Sequence, residues 1–427
     1  MKPQPRVICK DVPVRQHDIE YLENIEYLRN KLKKHAPRVE TRYKYYDMKR
    51  SDQTFGITIP SAIRERFKAV IGWSAKAVDS LADRLVFREF DNDEMEFKSI
   101  FDMNNPDVFF DSAILSALIV SCSFIYISKD EEGVPRLQVI EANNATGIID
   151  PITGLLKEGY AILEKDKNGR PVMEAYFLPK KTLYITTGVN GKENYSEYEH
   201  PVNYPLLVPL VHRPDAVRPF GRSRISRAAI YWQVNAKRTL ERADVTAEFY
   251  SFPQKYVLGI DPDAEAFDVW QATVSSMLRI DKDSQGDKPV MGQFSTVSMS
   301  PFIEQLRMAA SGFAGETGLT LDDLGFVSDN PSSAEAIKAS HETLRAMAKK
   351  AQRSFSSGFI NVGFLAACLR DGVPYQRSEF YNTKVKWEPI FEADAATLSL
   401  VGDGAIKINQ AIPGYFDEEK IKDIAGI

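Results

Sequence analysis

The feature that most constrains this chain of 427 residues is a helical pattern that runs without a proline through residues 332–369. Ser332 and Glu335 form an S-x-x-E capping box, in which each side chain accepts a hydrogen bond from a free backbone N–H. Apolar residues then recur at three- and four-residue spacing. A helix of this length would extend roughly 50 Å or more, so we expect it to span an assembly or to pack against its own copies. Gly358 and Gly363 are the expected bend points.

The composition is that of a globular protein, with 44% hydrophobic and 26% charged residues. Cys9, Cys122 and Cys368 lie far apart, so neither a disulfide framework nor a zinc cluster is expected, and a reducing, cytoplasmic origin fits best. No apolar run reaches the length of a membrane span, and the N-terminus does not have the pattern of a signal peptide. The net charge of −5 argues against a protein that coats DNA, but not against one that surrounds DNA without gripping it.

The first half of the chain predicts helices followed by a sheet. Helical patterns occupy residues 17–35, 60–87 and 106–121. Short strands separated by glycine- and proline-containing turns follow between residues 123 and 186, which indicates a meandering antiparallel sheet. The proline-rich segment 204–223 cannot be helical and is predicted to be an extended connector.

Residues 29–50 combine many Lys and Arg residues with Tyr43, Tyr45 and Tyr46. Interleaved bases and aromatic rings could contact nucleic acid. The more ordinary interpretation is a solvated helix face whose tyrosines pack at a subunit boundary. The sequence leaves both interpretations open.

A second long helical pattern occupies about residues 222–252. Its apolar stripe contains small residues that would let neighbouring helices approach closely, and the packing residues are Ile225, Ala229, Trp232, Ala236, Leu240 and Ala243. Residues 253–300 change character and predict a small α/β lobe between helix 222–252 and a helix at 301–320. Aspartates give this lobe an acidic surface, namely Asp261, Asp263, Asp281, Asp283 and Asp287.

An acidic loop, residues 321–333, separates the helix at 301–320 from the long helical pattern. The loop contains three aspartates and no base, which predicts a surface that repels or guides DNA instead of binding it. Bases follow on the long helix, where they could touch phosphates transiently or pair with a neighbouring subunit's acids: Lys338, Arg345, Lys349 and Lys350. A strand at 384–390 and two short helices at about 393–410 and 416–425 close the chain.

The usual sequence signs of catalysis are missing. No phosphate-binding G-x-x-x-x-G-K-[ST] motif occurs, and the histidines have no metal-ligand spacing. The segment 281–288 begins like a calcium loop, but Gly292 stands where the twelfth position needs glutamate. We therefore expect no enzyme activity, no metal and no cofactor.

Several segments together resemble the portal proteins of tailed double-stranded DNA bacteriophages, of the type found in long-tailed siphophages. The N-P-S-S-A-E-A segment at 330–336 and the P-x-G-R-S-x-I segment at 219–225 carry the resemblance most specifically. Residues 73–90, 110–128 and 385–407 support it.

The resemblance implies an α+β, portal-like fold with an α/β wing, a two-helix stem, a small α/β clip lobe, a long helix from channel to wing and a reduced C-terminal crown. Mapped onto this chain, the parts would be the wing at 1–220, stem helices at 221–252 and 301–320, the clip at 253–300, a tunnel loop at 321–333, the long wing helix at 334–369, and the C-terminal wing with a small crown at 370–427. The tunnel-loop residues facing DNA would be Leu321, Asp322, Asp323, Leu324, Gly325, Phe326, Val327, Ser328, Asp329 and Asn330.

The function implied is a homo-oligomeric ring, most often of twelve subunits, at one capsid vertex, through which double-stranded DNA is packaged and ejected. The implied partners are the terminase large subunit, a head-completion adaptor, and the major capsid and scaffolding proteins, with no membrane. The protein would be assembled in the host cytoplasm and reside in the virion. The alternatives are a virion-associated adaptor or minor capsid protein without a channel, or a nucleic-acid enzyme.

Overall fold

The computed structural model describes residues 17–49, 68–188, 191–251, 255–258, 290–293, 298–326, 337, 339–391, 395–418 and 420–421. Its helices are α1 His17–Tyr46, α2 Trp73–Ala82, α3 Phe97–Asp102, α4 Pro106–Val120, α5 Arg227–Ser251, α6 Ser300–Thr317, α7 Glu342–Asp371 and α8 Ala395–Ala411. Its strands are β1 Phe87–Asp91, β2 Cys122–Lys129, β3 Pro135–Glu141, β4 Ala145–Ile149, β5 Leu156–Lys165, β6 Pro171–Leu178, β7 Lys181–Thr187, β8 Glu193–Glu199, β9 Leu207–Val211, β10 Lys255–Leu258, β11 Val290–Gln293 and β12 Lys384–Trp387.

The described strands form antiparallel sheets that are joined mostly by short turns. The largest has the order β4–β5–β6–β7–β8, and a second has the order β3–β2–β9. Strands β1 and β12 form one separate pair, and β10 and β11 form another. Together with the helices these sheets make a mixed α/β fold, in which consecutive strands pair as the predicted meander requires.

Helix α7 lies at the centre of the main core. Phe355, Phe359, Val362 and Leu365 are all inaccessible to solvent, as their helical spacing predicts. The helix is continuous through Gly358 and Gly363, the two positions where the sequence predicts a bend, and both glycines lie at close contacts with neighbouring elements.

The missing side chains of the two glycines make this close packing possible. A Cβ at Gly358 would lie 2.3 Å from Leu210 Cδ2, and one at Gly363 would lie 2.7 Å from Phe97 Cδ2. Any larger residue would therefore push the helix away from β9 or α3. The predicted start of the helix, with Ser332 and Glu335, lies outside the described residues.

Helix α1 extends to Tyr46, through Pro37, and is longer than the predicted 17–35. Tyr45 is buried, Tyr43 and Tyr46 pack against the core, and the Tyr46 hydroxyl donates to Asp79 Oδ1 at 2.9 Å. These three rings belong to the interior of the subunit. Of the two interpretations of the basic segment, the structure favours packing tyrosines over stacking platforms for bases.

The predicted helix 60–87 is confirmed only over Trp73–Ala82, and the other described residues of that range are not helical. Residues 68–72 are not helical, and Phe87 begins β1, where it pairs with Trp387 of β12. Phe87 also stacks on Phe110 with ring centroids 3.8 Å apart. This tertiary pairing overrides a local pattern that is compatible with a helix.

The connector 204–223 also differs from its prediction, because it contains the strand β9. Pro209 lies within that strand, opposite Phe124 of β2. Strand β9 is the edge of its sheet, so the missing N–H of the proline disrupts no further ladder.

Candidate functional site

Helices α5 and α6 pack along each other through small residues. Ala236 and Ala309 are fully buried at the contact, and Leu240 packs with Leu306 beside them. Of the six residues that the sequence predicts to pack, five lie in α5, and the sixth, Ile225, precedes it. Ile225, Ala229, Ala236 and Ala243 are buried, whereas Trp232 and Leu240 are half-buried.

Both helices also carry large apolar side chains that the single chain leaves exposed. Tyr231 of α5 and Ile303 of α6 are each 60% exposed, and Met308 of α6 is 54% exposed. Exposed apolar side chains of this size are typical of protein–protein contacts when they form a patch. These residues are therefore candidates for contact with another subunit.

Only part of the segment between α5 and α6 is described. Strands β10 and β11 pair antiparallel from Lys255 opposite Gln293 to Leu258 opposite Val290. The five aspartates predicted to form an acidic partner surface, Asp261, Asp263, Asp281, Asp283 and Asp287, lie outside the described residues.

The loop after α6 begins with a tight reversal at Gly318. Gly318 adopts a left-handed conformation with φ of 67°, and a Cβ there would lie 3.0 Å from Thr343 Cγ2 and 3.1 Å from Met347 Cε. Residues Asp322–Leu324 then form a single 3₁₀ turn, and Leu324 packs against the main core of its own chain.

Asp323 holds this loop together. Its Oδ2 accepts hydrogen bonds from the backbone N–H and the hydroxyl of Thr320, at 2.8 and 2.9 Å, and lies 3.4 Å from His341 Nε2. Desolvation alone would raise the pKa of Asp323, but the bonds from Thr320 and the proximity of His341 outweigh it and lower the pKa. Asp322 is exposed, and Val327, Ser328, Asp329 and Asn330 lie outside the described residues.

The bases near the start of α7 point to solvent. Arg345, Lys349 and Lys350 are exposed, and Arg345 Nη1 lies 3.3 Å from Glu342 Oε2 on the same helix. Arg345 is therefore already paired within the chain, while Lys338 lies outside the described residues.

Most of the P-x-G-R-S-x-I segment belongs to the loop of residues 212–224, which we call the arginine loop. Gly221 has φ of 71°, and a Cβ there would lie 2.1 Å from the His212 backbone oxygen, so only glycine fits. Asp215 accepts hydrogen bonds from the backbone N–H of Val217 and from the Arg222 guanidinium, at 2.9 and 2.7 Å. These contacts fix the course of the loop from β9 into α5.

Arg224 ends the arginine loop and ties three helices together. Its guanidinium donates to the backbone oxygen of Ala77 in α2 at 3.1 Å, to that of Thr317 at the end of α6, and to Met347 Sδ in α7 at 3.0 Å. Burial lowers the pKa of Arg224 to about 10, so the side chain remains charged near neutral pH. The sequence did not single out Arg224, although its place in the P-x-G-R-S-x-I segment was a usable signal.

The two described cysteines are both free and buried. Burial raises the pKa of Cys122 to about 12 and that of Cys368 to about 11, so both thiols stay protonated. Over the described ranges, no three His, Cys, Asp or Glu side chains are placed to hold a metal ion. No described helix combines the length and apolarity needed to cross a membrane.

Comparison with known proteins identifies the family. Residues 25–406 match the family of phage portal proteins of the SPP1 Gp6-like type, and the chain belongs to this family. It is 27% identical over 320 residues to the portal protein of Mycobacterium phage L5, a match that covers 70% of this chain and 65% of that protein. It is 26% identical over 388 residues to the portal protein of Mycobacterium phage D29, covering 84% of this chain and 78% of that protein.

The L5 match thus spans just under two thirds of that relative's length. Among solved structures, a chain in the neck of a native gene transfer agent particle, computed with C12 symmetry, has a TM-score of 0.46 and 14% identity. That match covers 90% of this chain and 98% of the other. Membership of the family rests on the sequence match and not on this structural likeness.

Proposed function

We propose that this protein is the subunit of a ring of twelve copies that occupies one capsid vertex of a virion and through which double-stranded DNA enters and leaves. The match of residues 25–406 to the portal family is the observation that carries the proposal. The subunit supplies structure and no chemical step. The terminase large subunit and a head-completion adaptor would dock on it in turn, and the major capsid and scaffolding proteins would surround it.

In this proposal α5 and α6 form the stem, with residues 253–300 as the clip below it. Residues 1–220 form the wing, α7 connects the channel to the wing, and residues 370–427 supply the C-terminal wing and a small crown. The exposed side chains of Tyr231, Ile303 and Met308 support this assignment, because a ring would bury them between neighbouring stems.

The loop 321–333 would face the DNA. Asp322 is exposed at its start, while Asp323 is held by Thr320 and His341, so the described part of the loop offers the duplex no positive charge. A loop of this kind repels phosphates and lets the duplex slide, whereas a ring of bases would bind it. The exposed Lys349 would make only transient phosphate contacts.

Light scattering on the purified full-length chain tests the ring directly. We expect a mass near twelve times the 48.1 kDa of one chain. Ile303→Glu places a charge on the exposed face of α6 and should give monomers. Ile152→Glu is the matched control, since Ile152 is 91% exposed in a turn between β4 and β5, and this variant should still assemble.

A monomeric wild-type protein would contradict the proposal and favour an adaptor or minor capsid protein. Assembly of both variants would show that the exposed face of α6 is not a subunit contact. A double-stranded DNA passage assay in particles carrying the Ile303→Glu chain would then separate a role in assembly from one in DNA passage.

A further inference from the structure

A cavity of about 220 Å³ lies where the arginine loop, α2 and α7 meet. It is small beside typical ligand pockets but has room for several water molecules. His212 and Arg224 form its buried floor, and Arg213, Thr343 and Lys350 form its exposed rim, with Met347 beside them.

The charged side chains of the lining are all cationic, and they stand among the apolar Leu81, Ala346 and Met347. Arg213, Arg224 and Lys350 contribute three cations, and none of them forms an ion pair with a carboxylate in the part of the chain that the structure describes. Glu316 is close enough to favour the charge on Arg224, but its Oε1 accepts a hydrogen bond from the Ser226 hydroxyl at 2.7 Å. The cavity therefore lacks the negative charge that its walls would stabilise.

The floor of the cavity has unused capacity to donate hydrogen bonds. A guanidinium carries five N–H groups, and Arg224 directs two contacts at carbonyl oxygens and one at the sulfur of Met347, which is a weak acceptor. Arg224 is only 5% exposed and lines the cavity, so a further acceptor would reach its guanidinium from the cavity. An anion oxygen would be a much stronger acceptor than the thioether.

We propose that this cavity binds a phosphate-class oxyanion, held by Arg224 from below and by Arg213, Lys350 and the Thr343 hydroxyl from the rim. A tetrahedral oxyanion presents several acceptors at once, which suits donors that converge from a loop and a helix. The bound anion joins the arginine loop to the first turns of α7 next to Gly318. The phosphate is either free inorganic phosphate or a phosphate of a nucleic-acid backbone.

The inference concerns a single chain and does not depend on ring formation. Full-length protein is titrated with inorganic phosphate by calorimetry, at constant ionic strength set with chloride. Arg213→Gln and Lys350→Gln each remove one rim cation and keep most of the side chain. Each should weaken phosphate binding about tenfold, the usual effect of losing one charge-assisted hydrogen bond.

Arg218→Gln is the control, because Arg218 is exposed in the same loop but does not line the cavity. It should bind phosphate like the wild type. Equal affinity in all four proteins, or no binding by the wild type of either phosphate or DNA, would overturn the proposal. Light scattering on the same samples reports the oligomeric state, so failure of the site is distinguishable from failure of the ring.

A second arm identifies the source of the phosphate. A fluorescent DNA duplex of about 20 base pairs is titrated into the same proteins and then displaced with inorganic phosphate. Weaker duplex binding in both rim variants, with displacement by phosphate, identifies a backbone phosphate as the ligand. Phosphate binding that the duplex does not compete for identifies the free anion. Either outcome supports the site.

Discussion

Gly312 of α6 lies directly beneath the indole ring of Trp232 in α5. A Cβ at Gly312 would be 2.3 Å from Cε2 of that ring, well inside van der Waals contact. Trp73 lies nearby and packs against Phe313 with ring centroids 5.4 Å apart. The absence of a side chain at position 312 therefore sets how closely the two helices approach.

Replacing this glycine should separate the helices. We expect Gly312→Ala to lower the free energy of unfolding by about 1–3 kcal/mol, the usual cost of overpacking. Gly315→Ala on the same helix is the control, because its Cβ would meet nothing within 4 Å. That variant should gain up to about 1 kcal/mol from helix propensity. Chemical denaturation measures both, and similar effects of the two substitutions would contradict this account.

Gly221 should tolerate no substitution, for a different reason. Gly221→Ala places an L-residue at positive φ and a Cβ against the His212 backbone oxygen. We expect a loss of at least about 2 kcal/mol of stability. Gly325→Ala shares the left-handed conformation, with φ of 88°, but has open space around it and should lose only about 1 kcal/mol. Thermal denaturation of the two variants separates the steric from the conformational cost.

Arg224 should matter more for stability than its neighbour Arg222. Arg224→Met leaves the buried carbonyl oxygens of Ala77 and Thr317 without this donor. We expect the free energy of unfolding to fall by about 2–4 kcal/mol. Arg224→Lys should not restore it, because an ammonium cannot reproduce the fork of the guanidinium. Arg222→Ala breaks only a solvent-exposed ion pair with Asp215 and should cost less than about 1 kcal/mol. Equal losses of stability for Arg224→Met and Arg222→Ala in urea denaturation would show that the buried contacts of Arg224 contribute no more than the exposed ion pair of Arg222.

His212 should make stability depend on pH. Burial, with Arg224, Arg213 and Lys350 adding to it, lowers the pKa of His212 to about 4, and the ring contacts the Arg222 backbone oxygen at 2.8 Å. The unfolded chain takes up this proton below its ordinary pKa of 6.5, so the folded state loses stability as the pH falls from 6.5 towards 4. The loss should reach about 3 kcal/mol.

His212→Asn keeps a donor for the same carbonyl oxygen and removes the titration. In phosphate-free buffer the wild type should lose about 3 kcal/mol more stability than the variant as the pH falls from 6.5 towards 4, because only the wild type carries this titrating group. Parallel curves would show that His212 does not titrate on unfolding.

The sequence predicts elements that depend on local pattern. The spacing of Phe355, Phe359, Val362 and Leu365 predicts a buried helix because each position repeats the same face. The strands of the largest sheet follow from alternation and turn residues in the same way. The local pattern wrongly predicts a helix at Phe87, because the strand partner Trp387 lies 300 residues further along the chain, outside any local pattern.

The arginine loop shows the same limit for the candidate site. Arg224 binds backbone oxygens 147 and 93 residues away, and backbone acceptors carry no sequence signature. Loop 321–333 was predicted to be acidic, but only the structure distinguishes exposed Asp322 from Asp323, which Thr320 and His341 hold. Polar contacts between distant segments are therefore the part of the site that pattern alone misses.

The position of α7 has a mechanical consequence. The C-terminal half of α7 is closely packed, with Gly358 against Leu210 and Gly363 against Phe97. A force along the helix axis, applied at the N-terminal end of α7, cannot shift the helix without breaking those contacts, since protein interiors compress very little. Leu344, close to the start of α7, is also fully buried in the main core, so the helix is held along its whole length and a load applied to it is shared by the core of the subunit.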